Sequence, residues 1–163
     1  MVCLGMSWRG IGAPRFLAQG HRLNSTEYLD VLENTYLMDI ADTFKGEEYI
    51  FMQDGAPAHT SVATQKWCQA NLSKFWDKKS WPPASPDLNV LDYLAWGWLQ
   101  KRVSEFNPTN LQTLKIAIRN AVAEMPIEQV RASVDGRYKR AALRIQENGH
   151  QFKLLKGIQK FGD

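Results

Sequence analysis

Two aspartates stand where phosphate chemistry can be done. Asp54 ends the apolar run Tyr49-Ile50-Phe51-Met52-Gln53 and opens Gly55-Ala56-Pro57-Ala58-His59-Thr60. Asp92 follows a proline-stiffened stretch, Trp81 to Pro86, and then Asp87-Leu88-Asn89-Val90-Leu91. Carboxylates supplied by two separate elements suit a divalent cation acting on a phosphodiester. Magnesium takes one or two protein carboxylates and completes its shell with water and phosphate oxygens. Two such ions, roughly 3.5–4 Å apart, activate the attacking oxygen and stabilise the leaving one.

The elements around them must bring the two acids together. The run before Asp54 has the profile of a buried strand, with Gly55 and Pro57 breaking it, so Asp54 is expected at the strand's C-terminal rim, where α/β proteins place their sites. Thr60 is placed to cap a helix reaching about Leu72. Lys74-Phe75-Trp76 reads as a short strand. Asn89 to Val103 reads as a helix, with Asp92 in its first turn, where the helix dipole also favours an acid. Upstream, Val2 to Trp8 and Pro14 to Gln19 read as a hairpin turning at Arg9-Gly10-Ile11-Gly12. Asn24 and Glu27 form a capping box for a helix from about Ser25 towards Asp42. Downstream, Thr109 starts a helix to about Glu124. Pro126 opens a last helical region, expected to break near Asp135-Gly136 and to close around Gly149. The order of elements makes the class α/β, one domain over residues 1–163, without repeats or a linker.

Composition narrows the classes. The chain has 163 residues, 44% apolar and 23% charged, enough for a sizeable core. No apolar run approaches a membrane-spanning length, so no membrane partner is expected. Cys3 and Cys68 are the only thiols, without a CxxC or Cys/His cluster, which argues against a disulfide framework or a zinc site and for a reduced, intracellular compartment. Net charge is +3, unevenly spread. Residues 1–100 carry 8 Lys and Arg against 11 Asp and Glu, and residues 101–163 carry 12 against 6. A basic C-terminal third beside an acid-bearing front suits a protein that holds a phosphate backbone against a metal site.

The stretches Gln53-Asp54-Gly55-Ala56-Pro57-Ala58-His59-Thr60 and Ser85-Pro86-Asp87-Leu88-Asn89-Val90-Leu91-Asp92-Tyr93, the latter followed by Trp96-Gly97 and Leu99, resemble the catalytic motifs of mariner-type DDE/D transposases, in the branch whose last acid is Asp. Val90 departs from the proline of many relatives. The resemblance implies a ribonuclease H-like fold, here partial, with a mixed central sheet flanked by helices. It implies metal-dependent cleavage of DNA and strand transfer, with Asp54 and Asp92 as catalytic metal ligands, Mg2+ or Mn2+ as cofactor, DNA as partner, a homodimer in intact relatives, and a nuclear or other intracellular location. Asp87 serves the turn in the family pattern. The family takes a third acid from a strand upstream of a hairpin like Val2 to Gln19, so the chain is expected to start after it, to hold at most one ion weakly and to be inactive alone. Asp30, Asp39 and Asp42 fall on or near the first helix, the wrong element for that role. The alternative is a domesticated, non-catalytic remnant that binds nucleic acid.

Further nucleic-acid contacts are assigned from residue type. His59 reaches towards the metal or a phosphate, or else serves its helix start. Trp81 is the best stacking platform among the tryptophans because its loop is expected to be exposed; Trp67, Trp76, Trp96 and Trp98 suit the core better. Arg137, Arg140 and Arg144 share a helical face, with Lys139 beside them, and are expected to point to solvent, either onto phosphates or as a solvated surface.

Overall fold

The computed structural model describes residues 1–18, 20, 23–83 and 85–146. The hairpin forms as two short antiparallel ladders, but it turns at Trp8-Arg9, and Gly10-Ile11, expected in the turn, pair as a strand. β1 (Val2–Cys3) pairs with β4 (Arg15–Phe16), and β2 (Met6–Ser7) with β3 (Gly10–Ile11). Gly10 sits at φ +144, a conformation that L side chains rarely adopt, which is why the tip needs glycine. Gln19, the last residue of the expected return strand, lies outside the described residues.

The capping box works as its residues dictate. Asn24 Oδ1 accepts from the Glu27 N–H (2.9 Å), and the Glu27 carboxylate accepts from the Asn24 N–H (3.3 Å). Helix α1 (Ser25–Val31) then runs through a π turn (Leu32–Tyr36) into α2 (Leu37–Phe44). Lys45 ends it in the left-handed region, φ 47.

The expected strand over Tyr49–Gln53 contracts to a single parallel bridge between Phe51 and Phe75. Phe51 donates its N–H to the Lys74 carbonyl, and Trp76 donates to the Phe51 carbonyl, both at 2.9 Å. Nothing among the described residues extends that ladder, so the sheet is slight and the molecule mostly helical. The helix after Asp54 also comes in two pieces. Pro57 begins a single turn, α3 (Pro57–Thr60), because proline is tolerated where no helical N–H partner exists. Ser61 then restarts the chain as the true cap of α4 (Val62–Asn71), its hydroxyl accepting from the Thr64 N–H at 3.1 Å. Thr60, the expected cap, is instead the end of α3.

Asp92 lies in a π turn, Leu91–Ala95, that feeds α5 (Trp96–Phe106). Asn110 caps α6 (Leu111–Ala123), and α7 (Ile127–Gln146) runs unbroken through Asp135-Gly136. The expected break there does not occur. The Tyr93 hydroxyl donates to the Ser133 carbonyl, the Trp8 indole N–H donates to Asp135, and Arg131 stacks over Trp8 at 4.3 Å. Those contacts outweigh the cost of about 1 kcal/mol for a mid-helix glycine. The expected closure around Gly149 lies outside the described residues.

Two cores result. Tyr28, Leu32, Ala58, Cys68 and Leu72 form one, under α1, α3 and α4. Leu4, Ala95, Leu99, Ala121, Val122, Met125 and Val130 form the other, between the hairpin, α5, α6 and the start of α7. Asp54 hangs from the first and Asp92 from the second.

Candidate functional site

Asp54 and Asp92 line one open cavity of about 550 Å³, together with Gly55, Ala56, Lys78, Trp81 and Ser85. The elements carrying them are anchored on different cores, so the site lies along the seam. Each acid is held differently. Asp54 is half-buried, and its Oδ1 accepts from the Ala56 N–H at 3.0 Å. The same oxygen lies 2.6 Å from His59 Nδ1. An ionised carboxylate only accepts, so the proton of that bond belongs to the imidazole. The His59 hydrogen bond, opposed by desolvation and helped by the Ala56 N–H, holds the Asp54 carboxyl below its usual range.

Asp92 shifts the other way. Desolvation and then the charge of Asp54 push its carboxyl up, partly offset by hydrogen bonds with Asn89 and Trp96. The charge of Asp54 therefore opposes ionisation of Asp92, a conflict that a bound cation relieves. Two carboxylates on an open cavity suit a hard divalent ion by donor type. Among the described residues no group of three or more His, Cys, Asp or Glu gathers as a metal-binding cluster.

His59 is fixed from several sides, a role its residue type alone does not reveal. Its ring tilts against Tyr28 with centroids 4.3 Å apart. Its carbonyl accepts from Gln53 Nε2 (3.1 Å) and Gln65 Nε2 (3.0 Å), and the Tyr28 hydroxyl donates to Gln53 Oε1 (2.9 Å). Thr64, fully buried, donates to the Ala58 carbonyl at 2.7 Å and fixes the turn between α3 and α4. Sequence reading passed over Tyr28, Gln65 and Lys78. The positions of Tyr28 and Gln65 on helices were visible in the sequence, but their convergence on His59 was not.

Trp81 lies on the cavity as expected, yet it is half-buried rather than exposed, its ring 6.4 Å from that of Trp76. Trp67, Trp96 and Trp98 pack against the cores. The arginine face departs further from expectation. Arg137 and Arg140 are half-buried, not directed to solvent. Arg137 lies over the rings of Trp76 (5.6 Å) and Tyr138 (5.2 Å) and against the Met52 sulfur, two residues before Asp54. Arg140 stacks on Tyr93 at 3.9 Å and reaches the Asp87 carbonyl at 3.5 Å. The two arginines thus strap α7 across the segments bearing both acids, because their stems and planar heads pack on aromatics. Lys139 is exposed, and the Arg144 side chain lies outside what the structure describes. Asp30, Asp39 and Asp42 sit on α1 and α2 and do not line the cavity.

No protein-family profile matches the chain. Individual proteins do. The chain is similar to the Tc1 transposase of Caenorhabditis elegans, 30% identical over 108 residues, which is 66% of this chain and 38% of that protein. To the Tc3 transposase of the same organism it is 32% identical over 115 residues, covering 69% and 33%. It therefore spans well under half the length of these curated relatives. Among solved structures, the Mos1 transposase catalytic domain with Raltegravir and Mn matches with TM-score 0.80 and 20% identity, over 93% of this chain and 76% of that one. The Mos1 mariner paired-end complex with Mn matches at 0.81 and 19%, over 93% and 44%. At such identities these structures establish the shared fold, while Tc1 and Tc3 carry the relationship in sequence. Read with the two aspartate motifs on one cavity, sequence and fold place this chain among the mariner-type transposase catalytic cores.

Proposed function

We propose that Asp54 and Asp92 are metal ligands of a DNA-cleaving and strand-transferring site of the transposase kind, with Mg2+ or Mn2+ as the ion. The observation that carries the reading is their convergence on one cavity from motifs far apart in the sequence. The bound ion supplies Lewis-acid activation of an oxygen nucleophile and charge stabilisation at the phosphate. The chain's own residues do the rest. His59 and the Ala56 N–H orient Asp54, and the side chains of Asn89 and Trp96 favour the ionised form of Asp92. Trp81 offers a ring face at the cavity wall to an unstacked base. Lys139 and Arg144 on α7 add charge for the DNA backbone. Arg137 and Arg140 act mainly by holding α7 in place.

Two carboxylates hold one ion weakly and do not support two, so we infer that the 163-residue chain by itself does not cleave DNA. We further propose that the intact protein acts on DNA as a homodimer, in the nucleus or another intracellular compartment. The test is Mn2+ binding by calorimetry together with plasmid nicking in Mg2+ or Mn2+. Weak binding near one equivalent, lost in Asp54→Asn and Asp92→Asn, supports the ligand assignment. Binding unaffected by either substitution sinks it. Robust nicking that both substitutions abolish overturns the inference of inactivity.

A second reading, a non-catalytic nucleic-acid-binding remnant, is favoured by the absence of a third clustered ligand among the described residues. DNA binding indifferent to divalent ions would select it.

A further inference from the structure

Beside the carboxylate cavity lies a second of about 510 Å³, lined by Val62, Gln65, Lys66, Phe75 and residues 77–80. Lys78 lines both. The loop carrying it is built rather than loose. Asp77 Oδ1 accepts from the N–H groups of Lys79 (3.0 Å) and Ser80 (2.8 Å) and from the Ser80 hydroxyl (2.8 Å). Such a self-closed Asx turn spends the carboxylate on its own backbone and fixes the direction of the two lysines that follow.

The loop is also tied to the carboxylate site. The Lys78 N–H donates to Gln65 Oε1 at 2.9 Å, Gln65 Nε2 donates to the His59 carbonyl at 3.0 Å, and the His59 ring holds Asp54. One side chain, Gln65, therefore sets the distance between a basic loop and a metal-ligand candidate. Lys66, one residue on, lines the second cavity too. Lys66, Lys78 and Lys79 are all exposed, and among the described residues none of them forms an ion pair. Asp77 is the single acid on that cavity, and its carboxylate feels Lys79.

We infer that Lys66, Lys78 and Lys79 form a phosphate track that receives the DNA backbone next to the phosphate held at Asp54 and Asp92, with Lys78 as the contact nearest the acids. This rests on the proposed DNA substrate and adds to it a location and a direction for the strand. The chemistry fits. Three compact, mobile ammonium groups on a fixed frame recognise phosphates as point charges without reading bases. A polyanion also needs a cationic approach beside two carboxylates that would otherwise repel it. A register bond through Gln65 keeps adjacent phosphates aligned with the acids.

The test measures binding of a fluorescein-labelled DNA duplex of mixed sequence to the 163-residue chain over a salt series. The variants are Lys66→Ala/Lys78→Ala/Lys79→Ala, and Lys45→Ala/Lys101→Ala/Lys115→Ala, which removes equal charge from elements lining neither cavity. Circular dichroism confirms that each is folded. Each lost phosphate contact lowers the slope of log K against log salt by about 0.9. The track variant is expected to lose roughly two to three units of slope and at least about tenfold in affinity, the control variant much less. The charge reversal Lys78→Glu alone is expected to weaken binding more than either Lys66→Glu or Lys79→Glu. Equal losses in the two triple variants would overturn the track and leave DNA binding intact. No binding by the unmodified chain would overturn the DNA substrate itself, and the track with it. Lysine-dependent binding in a chain that ignores Mn2+ supports the track and counts against the metal assignment alone.

Discussion

At the scale of single residues, the site turns on how one carboxylate is held. Asp54 needs its hydrogen bonds to present a fixed lone pair outward, and His59 is the partner that makes the shortest of them. His59 is hydrogen-bonded to Asp54, so under the proposed metal assignment it is a positioning residue. His59→Ala is expected to lower Mn2+ affinity by about 10–100-fold, the usual effect of losing a partner behind a metal ligand. His59→Gln, which can still donate, should recover part of the loss. Calorimetric titration reads both, and equal affinity in all three proteins would reduce His59 to a packing role against Tyr28. Cys68 gives a second check at this scale. It is fully buried beneath α1, and burial pushes its thiol up to about 11. In the native protein it should react with a thiol reagent far more slowly than the half-buried Cys3, and at comparable rates only after unfolding in urea. Equal native rates would mean that the Tyr28–Leu72 core opens readily.

At the scale of elements, α7 is the helix whose local sequence and tertiary contacts disagree most. Gly136 stands in its middle with nothing within 4 Å of where a Cβ would be. The helix persists because Arg131, Asp135, Arg137 and Arg140 are each clasped by groups from earlier in the chain. Gly136→Ala removes the entropic cost at no steric price and should stabilise the protein by about 0.5–1 kcal/mol in urea unfolding. Arg140→Ala should destabilise it by about 1–2 kcal/mol, since it removes a stacked and partly desolvated cation from Tyr93. If Arg140→Ala leaves stability unchanged while weakening DNA binding, the arginine belongs to the interface rather than to the strap.

At the scale of the whole molecule, the site occupies the seam between two cores, so its geometry depends on both remaining packed. Leu32, almost fully buried in the first core, lines neither cavity. Leu32→Ala should cost about 2–5 kcal/mol and loosen the frame of Asp54. Its Mn2+ affinity should fall even under conditions where circular dichroism reports a folded chain. Retention of full affinity in the destabilised variant would show that the seam is more rigid than its two-core construction implies.

Much of this was legible in the chain itself. The cap at Asn24, the hairpin and the Asp54 and Asp92 motifs are local patterns, whereas the cap of α4 fell on Ser61 rather than on the expected Thr60. Backbone sterics and hydrogen-bonding groups a few residues apart decide such patterns. The sequence also carried the resemblance to mariner-type transposases, because each aspartate motif is a contiguous stretch of the chain. Three things were decided only by the fold. The strand before Asp54 shrank to one bridge because strand length is set by the partners available, not by apolar composition. The arginines of α7 turned inward because the rings of Trp76 and Tyr93 and the Met52 sulfur lie beneath them, and no helical periodicity reveals what a helix lies upon. The basic loop at Lys78 became part of the site through Gln65 and His59, a chain of hydrogen bonds joining α4 to the loop after Trp76. Such contacts depend on which surfaces meet, and that is settled by packing the two cores together.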